Sequence, residues 1–306
     1  MMWIGLLAGA VQMSTPLMIG SLAEVLAERT GVMIIAIEGI FLLGAWGGFV
    51  VAYSSGSLFL GLIAAAVVGV LVAAVYGLFT VRLKQHQIVT GTALNIFAAG
   101  LGLFLYRVLF GIPLLPLTVE PLRPLAVPVL SSIPVIGPVL FSQSVLTYLA
   151  WALVPVGYWV LYRTHLGLIL RSTGENPEAV EAAGIDVETV RFRTVLVAGA
   201  MDGLAGAFYS LGFLGMYTND IIGGRGWIAF AICFLGNWNP LGVLIGALVF
   251  GLADAMAIQL QTSGITAVPN EFLIAIPYIL TIVATVARQK FNVPATLGVP
   301  YGKERK

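Results

Sequence analysis

Four polar side chains sit inside long apolar runs, where residue type alone suggests chemistry: Glu38, Asn95, Asp202 and Asp254. A carboxylate held there can move a proton, bind a cation, or accept hydrogen bonds from a polar solute. Hydrolysis would also need a nucleophile–base pair or a metal cluster beside it. No histidine or cysteine is placed with these four. His86 and His165 lie far apart at loop edges, and the lone Cys233 sits in an apolar run. One cysteine excludes an intramolecular disulfide and a cysteine-rich metal site. Paired aspartates could make an intramembrane protease, but Asp202 and Asp254 lack that motif context. No G-x-x-x-x-G-K-[S/T] run is present to cradle phosphates, so no P-loop ATPase is expected in this chain. The pattern suits solute contact, ion binding or helix bridging better than catalysis.

The densest polar run is Arg171–Asp186, RSTGENPEAVEAAGID. Asn176 can cap a helix by accepting the free N–H groups of its first turn, and Pro177 fits the first helical position. Glu178 and Glu181 lie near the positive end of the helix dipole. Gly184 is a stop signal, so the helix is brief. Ala179, Val180, Ala183 and Ile185 give it a less polar face. Two readings follow: a solvated loop helix between two membrane spans, or a docking helix seated in a groove of a cytoplasmic partner.

Composition sets the elements that must position these groups. Hydrophobic residues make up 59%, charged residues 9%, and mean hydropathy is +1.00. Soluble domains carry about 25% charged residues, so this is an integral membrane protein. Its apolar runs reach the roughly 20 residues of a spanning helix, whereas a barrel would show short alternating segments. The fold class is an all-α bundle of about 8–9 spans, a single domain over 1–306, with broken or re-entrant segments. A net charge of +1 offers no basic face for nucleic acid. Met1 leads into apolar sequence without a basic flank, so no cleavable signal is expected.

In chain order, the expected spans are Met2–Leu22, interrupted at Thr15-Pro16, then Val32–Tyr53, Leu58–Thr80 and Ile88–Tyr106. Glu24, Glu28 and Arg29 read as a polar junction after the first. Seven prolines in 107–141 forbid regular helix there and predict an irregular excursion outside the membrane. Ser142–Tyr162, Phe192–Met216, Leu241–Leu260 and Phe272–Ala287 complete the set. Trp227–Leu235 is apolar but too short to cross alone, and Asn237-Trp-Asn-Pro240 interrupts it.

Eleven of the 15 basic residues fall in three places: the loop of Arg82 and Lys84, the four arginines Arg163, Arg171, Arg191 and Arg193 around the polar run, and the tail from Arg288 onward. The positive-inside rule makes these cytoplasmic, with the C-terminus inside and 107–141 outside. Alternation then requires Trp227–Leu235 to be a very short crossing or part of a re-entrant region. Gly31–Ile37 also resembles Gly226–Ile232, and Leu60–Ala66 resembles Leu241–Ala247. If these matches mark a duplicated bundle, such interrupted segments would border the substrate path.

Further motifs run through the chain: Thr15-Pro16-Leu17, Glu28-Arg-Thr-Gly-Val32, Ile37-Glu38-Gly39, Thr90-Gly-Thr-Ala-Leu-Asn95, Gly174-Glu-Asn-Pro-Glu-Ala179 with Ala182-Ala-Gly-Ile185, and Asn237-Trp-Asn-Pro-Leu-Gly242. In this order they resemble permease subunits of bacterial ABC importers of the ribose and branched-chain amino acid type, nearest the nucleoside and simple-sugar group. The family usually carries asparagine where this chain has Ile34.

The resemblance implies a multi-pass cell-membrane subunit that imports nucleosides, or alternatively a simple sugar or a metabolite such as a flavin. It implies a second permease subunit, an external substrate-binding protein, and a cytoplasmic ABC ATPase. ATP and magnesium would bind that ATPase; no cofactor is expected on this chain. The coupling surface would comprise Gly174, Glu175, Asn176, Pro177, Glu178, Ala179, Ala182, Ala183, Gly184 and Ile185. Candidate residues of the path are Glu38, Asn95, Trp46, Asn237, Trp238 and Asn239, the tryptophans serving to stack a base or to anchor span ends. An ion-coupled secondary carrier is the competing class.

Overall fold

The computed structural model describes residues 2–262, 270–287 and 290–302. Helix α1, Met2–Glu28, runs unbroken through Pro16. The expected interruption at Thr15-Pro16 does not occur, and the helix runs through the proline. Beside it the Ser14 and Thr15 hydroxyls both donate to the Val11 carbonyl, and Thr15 also bonds Thr147, which ties this turn to the helix Val145–Arg163. The helix also outruns the expected Leu22 end, so Glu24 and Glu28 are buried inside the bundle rather than at a solvated junction.

Residues 31–36 then enter the bundle as non-helical chain, and α2, Ile37–Ser55, begins only after them. Irregular backbone at membrane depth survives where protein groups satisfy it. Here Gln87 accepts from the Met33 amide at 2.9 Å, Tyr76 donates to the Met33 carbonyl, and Glu24 accepts from the Ile34 amide at 3.3 Å. The Ile34 side chain is buried in an apolar cluster with Ala73, Val195 and Ala198. Helix α3, Leu58–Gly77, continues into a π turn at Leu78–Arg82, and α4 spans Gln87–Phe110. The first four residues expected in the excursion therefore belong to α4.

The excursion itself is mostly irregular. It holds a two-stranded antiparallel pair, β1 (Leu125–Ala126) with β2 (Ser142–Gln143), and the short helix α5, Ile136–Leu140. Helix α6, Val145–Arg163, is followed by α7, His165–Glu175, which the sequence reading did not anticipate. Next come α8, Pro177–Ala182, and α9, Val187–Ala207, which ends in a π turn at Phe208–Phe213. Val119 and Leu122 donate backbone bonds to Gly215 and Leu211, which fastens the excursion to the far end of α9.

Helix α10 is Arg225–Leu235, α11 is Pro240–Thr262 and α12 is Asn270–Ala287. Eleven residues of helix reach about 16 Å, roughly half of a 30 Å hydrocarbon core. The chain descends from the excursion end as residues 214–224, and α10 completes the crossing toward the α8 end. Irregular chain followed by a half-helix thus joins the excursion end of the bundle to the α8 end between α9 and α11. The proposed match of Gly31–Ile37 with Gly226–Ile232 pairs non-helical chain with helix.

Among the described residues, seven helices are long and apolar enough to cross a membrane: α1, α2, α3 with its π turn, α4, α6, α9 with its π turn, and α11. With α12 and the half-helix they make a nearly all-α membrane bundle. Helices α1, α2 and α9 form its buried centre, while α3, α4 and α6 turn most of their surface outward. Small residues bring α3 and α9 close: an added Cβ on Gly69 would lie 2.1 Å from the Gly199 carbonyl oxygen.

Candidate functional site

At one end of the bundle, α8 forms as its local signals require. Asn176 Oδ1 accepts from the Ala179 amide at 3.0 Å, Pro177 occupies the first turn, and Gly184 takes φ +83° beyond the end. Pro177 and Val180 face inward, while Glu175, Glu178, Ala179, Ala182 and Ala183 are exposed. This presents a small-residue surface with an acidic rim. Glu181 and Ile185 are half-buried.

That surface rests on the end of α1. A Cβ on Gly174 would come within 2.3 Å of the Arg29 carbonyl oxygen, so only glycine permits the approach. The Thr296 amide and hydroxyl both donate to the Gly174 carbonyl, at 2.9 and 2.8 Å. Gly298 donates to Gly31, and the Tyr301 hydroxyl bonds the Glu181 carboxylate. Buried Arg191 on α9 reaches the Thr30 carbonyl at 2.8 Å, the Val299 carbonyl at 2.9 Å and the Thr296 hydroxyl at 3.0 Å. The described tail, 290–302, is therefore strapped beneath the α7–α8 turn. Of the tail's basic residues, Arg288, Lys303, Arg305 and Lys306 lie outside the described residues.

Asn237, Trp238 and Asn239 lie at this same end. Asn237 Oδ1 accepts from the Asn292 amide at 2.7 Å, and Asn239 Oδ1 accepts from the Leu241 amide at 2.9 Å, at the start of α11. Trp238 is fully buried; its indole donates to Glu28, and its carbonyl accepts from Arg29 at 3.0 and 3.1 Å. The C-terminal end of α10 is thereby tied to the junction that carries α8.

Glu38 and Asn95 lie deeper. Glu38 Oε1 accepts from the Gly224 amide and Oε2 from the Gly226 amide, both at 2.8 Å. These are free donors of the first turn of α10. A Cβ on Gly226 would lie 2.7 Å from Glu38 Oε2. Asn95 accepts from the Gly39 amide and donates to the Ile35 carbonyl, each at 2.8 Å, which fastens α4 to the start of α2. Trp46, two turns further along α2, is half-buried, and its indole nitrogen is buried without a hydrogen-bond partner among the described residues. Both Asp202 carboxyl oxygens are likewise buried and unpartnered.

Beside this junction is a grouping the sequence reading missed. Arg225 opens α10 and forms a two-pronged ion pair with Asp254 of α11, at 2.9 and 3.3 Å. Its guanidinium lies 5.5 Å from the centre of the Tyr209 ring. The Tyr278 hydroxyl of α12 donates to Gly223 at 2.9 Å. Arg225, Asp254, Gln261 and Tyr278, with apolar side chains, line a cavity of about 280 Å³ between α10, α11 and α12. The available signal was an arginine directly before a half-length apolar run and an aspartate within a full one. Among the described residues no three His, Cys, Asp or Glu side chains are grouped to hold a metal ion.

The chain matches the family model described as branched-chain amino acid transport system / permease component over residues 6–285. It is 35% identical to the nucleoside ABC transporter permease protein NupC of Lactococcus lactis, over 95% of both chains. It is 33% identical to the guanosine ABC transporter permease protein NupQ of Bacillus subtilis, over 96% of this chain and 95% of that one. It is 34% identical to the putative glucose ABC transporter permease protein TsgC13 of Haloferax volcanii, over 87% of this chain and 80% of that one.

Proposed function

The chain belongs to the family of branched-chain amino acid transport system permease components, and from that premise we propose that it is the membrane subunit of an ABC importer that takes up nucleosides. The observation that carries the substrate is the match, over nearly the whole chain, to one permease named for nucleosides and one named for guanosine. A sugar is the second reading, supported by the glucose permease relative.

Coupling is mechanical in this proposal. The exposed face of α8 seats on a cytoplasmic ATPase, which binds ATP and magnesium. Motion of α8 passes through Gly174 to Arg29 and Gly31, and through Arg29 and Glu28 to Trp238 at the end of α10. The other end of α10 rests on Glu38. Glu38 and Asn95 then hold the junction along which the path opens, Trp46 faces it from α2, and Asn237 and Asn239 fix the turn below. A second permease subunit and an external binding protein complete the complex, and the α8 end and C-terminus are cytoplasmic.

The test is uptake into proteoliposomes holding the complex purified with this chain and supplied with its binding protein. Nucleoside accumulation that requires ATP and persists without an ion gradient is expected. Accumulation driven by a sodium or proton gradient alone would move the protein to the secondary carriers, and uptake of glucose in place of nucleosides would favour the second reading.

A further inference from the structure

Ionisable groups inside a membrane protein are costly and mark paths or partners. The Arg225–Asp254 pair keeps residual exposure, 25% and 12% of the side chains, toward the cavity between α10, α11 and α12. Both Asp254 oxygens accept from Arg225, yet each keeps a further lone pair. The third guanidinium nitrogen is held by the Ile222 carbonyl at 3.3 Å. Tyr209, beneath the guanidinium, is buried with its hydroxyl unpartnered among the described residues. Gln261 stands exposed at the rim, Tyr278 is exposed on one wall, and Ile258 and Pro277 give apolar surface. The floor is the first turn of α10, fixed to α2 by Glu38.

We propose that this cavity is the contact site for substrate in this subunit, and that its ligand is an uncharged, ring-bearing molecule with N–H or O–H donors, as a nucleoside is. The proposal rests on the reading of the chain as a nucleoside permease. Guanidinium and carboxylate cancel, and the only other charged group at the floor among the described residues is the Glu38 carboxylate, so an anionic ligand would meet no free counter-charge and would lose its hydration. A neutral ring can lie on Tyr278 and the apolar wall while its donors reach Asp254, with Gln261 at the rim outside these contacts. About 280 Å³ is room for roughly nine water molecules at ~30 Å³ each, the scale of one small ligand. A nucleotide is excluded by its phosphate, so the site would separate nucleosides from their phosphates.

The test uses the solubilised complex without its binding protein, so that selection by the latter does not enter. Gln261→Cys is made in a Cys233→Ser background and labelled with a membrane-impermeant maleimide. Guanosine at about ten times its dissociation constant should slow labelling about tenfold, whereas guanosine monophosphate should leave the rate unchanged. Asp254→Asn, which leaves Arg225 without its counter-charge, should lose protection by guanosine and gain protection by the monophosphate. Gln261→Cys lies at the exposed rim and carries the test alone if Asp254→Asn does not assemble. Nucleoside uptake by the same variant without protection would overturn the site and leave the proposed function standing. Loss of nucleoside uptake by the unaltered complex would overturn both. Equal protection by nucleoside and monophosphate would overturn the ligand class.

Discussion

The carboxylate of Glu38 and the amide of Gly226 meet at 2.8 Å although 188 positions separate them in the chain. They join two helices that both begin inside the bundle. Helix α2 starts after the non-helical residues 31–36 and runs to the excursion end; α10 starts after residues 214–224 and runs to the α8 end. Their N-termini meet, and each presents free N–H groups and a positive dipole end. Glu38 lies in the first turn of α2 and accepts from the first turn of α10, so one carboxylate offsets both ends.

Glu38→Ala therefore leaves two N–H groups of α10 without their acceptor, at about 1–3 kcal/mol each where they are buried. Uptake should fall well below wild type while the complex still assembles, because the subunit surfaces are untouched. Glu38→Gln retains one carbonyl oxygen and should recover part of the activity. Uptake and co-purification from one preparation measure both effects. Failure of assembly in Glu38→Ala would make the residue a folding element only.

Much of this architecture was legible because membrane spans declare themselves by length and apolarity, and α8 by Asn176, Pro177 and Gly184 acting locally. What was not legible depended on partners distant in sequence. Glu28 reads as a junction residue until Trp238, 210 positions away, is seen to donate to it. Arg225 reads as part of a polar turn until Asp254 is found beside it. Helix α7 is hidden by Gly167 in its first turn and by exposed Leu166 and Leu168. Glu38 and Asn95 were recognisable as costly polar groups, but their acceptors and donors are backbone atoms that sequence does not display.

Orientation gives the second prediction. Lys84 and Glu188 pair at 3.1 Å, which places the α3–α4 loop and the start of α9 at one end, and Leu125 is exposed in the excursion at the other. In a Cys233→Ser background, Gln85→Cys and Glu188→Cys should react only from the cytoplasm, and Leu125→Cys only from outside. Labelling of Leu125→Cys from the cytoplasm alone would invert the protein.

The tail strap gives the third. The Arg191 fork spans three acceptors, and a lysine ammonium is a compact charge that cannot reach them all. Losing one or two charged hydrogen bonds costs about 3 kcal/mol. Arg191→Lys should therefore speed chymotryptic cleavage at Tyr301 and raise the ATP hydrolysed per nucleoside imported. Unchanged cleavage would mean that the strap is held by Thr296 and Gly298 without Arg191.

Helix α8 gives the last and most discriminating test, because its two readings differ only in what the exposed alanines touch. In the subunit alone, Ala183 faces outward, while Val180, one turn before, is buried against the body. An arginine at Ala183 thus meets only solvent unless a partner covers it, and surface changes of that kind stay within about 0.5 kcal/mol. If α8 seats in a groove of the ATPase, the same arginine costs packing and desolvation at a close contact. Ala183→Arg should leave membrane insertion and pairing with the second permease intact, and abolish either recovery of the ATPase or the coupling of hydrolysis to uptake. Val180→Arg serves as the contrast, since it should destabilise the α7–α9 turn before any partner binds. The two are compared by ATPase recovery and uptake in matched reconstitutions. Wild-type values for Ala183→Arg would mean that α8 is a solvated loop helix and that force enters the bundle elsewhere.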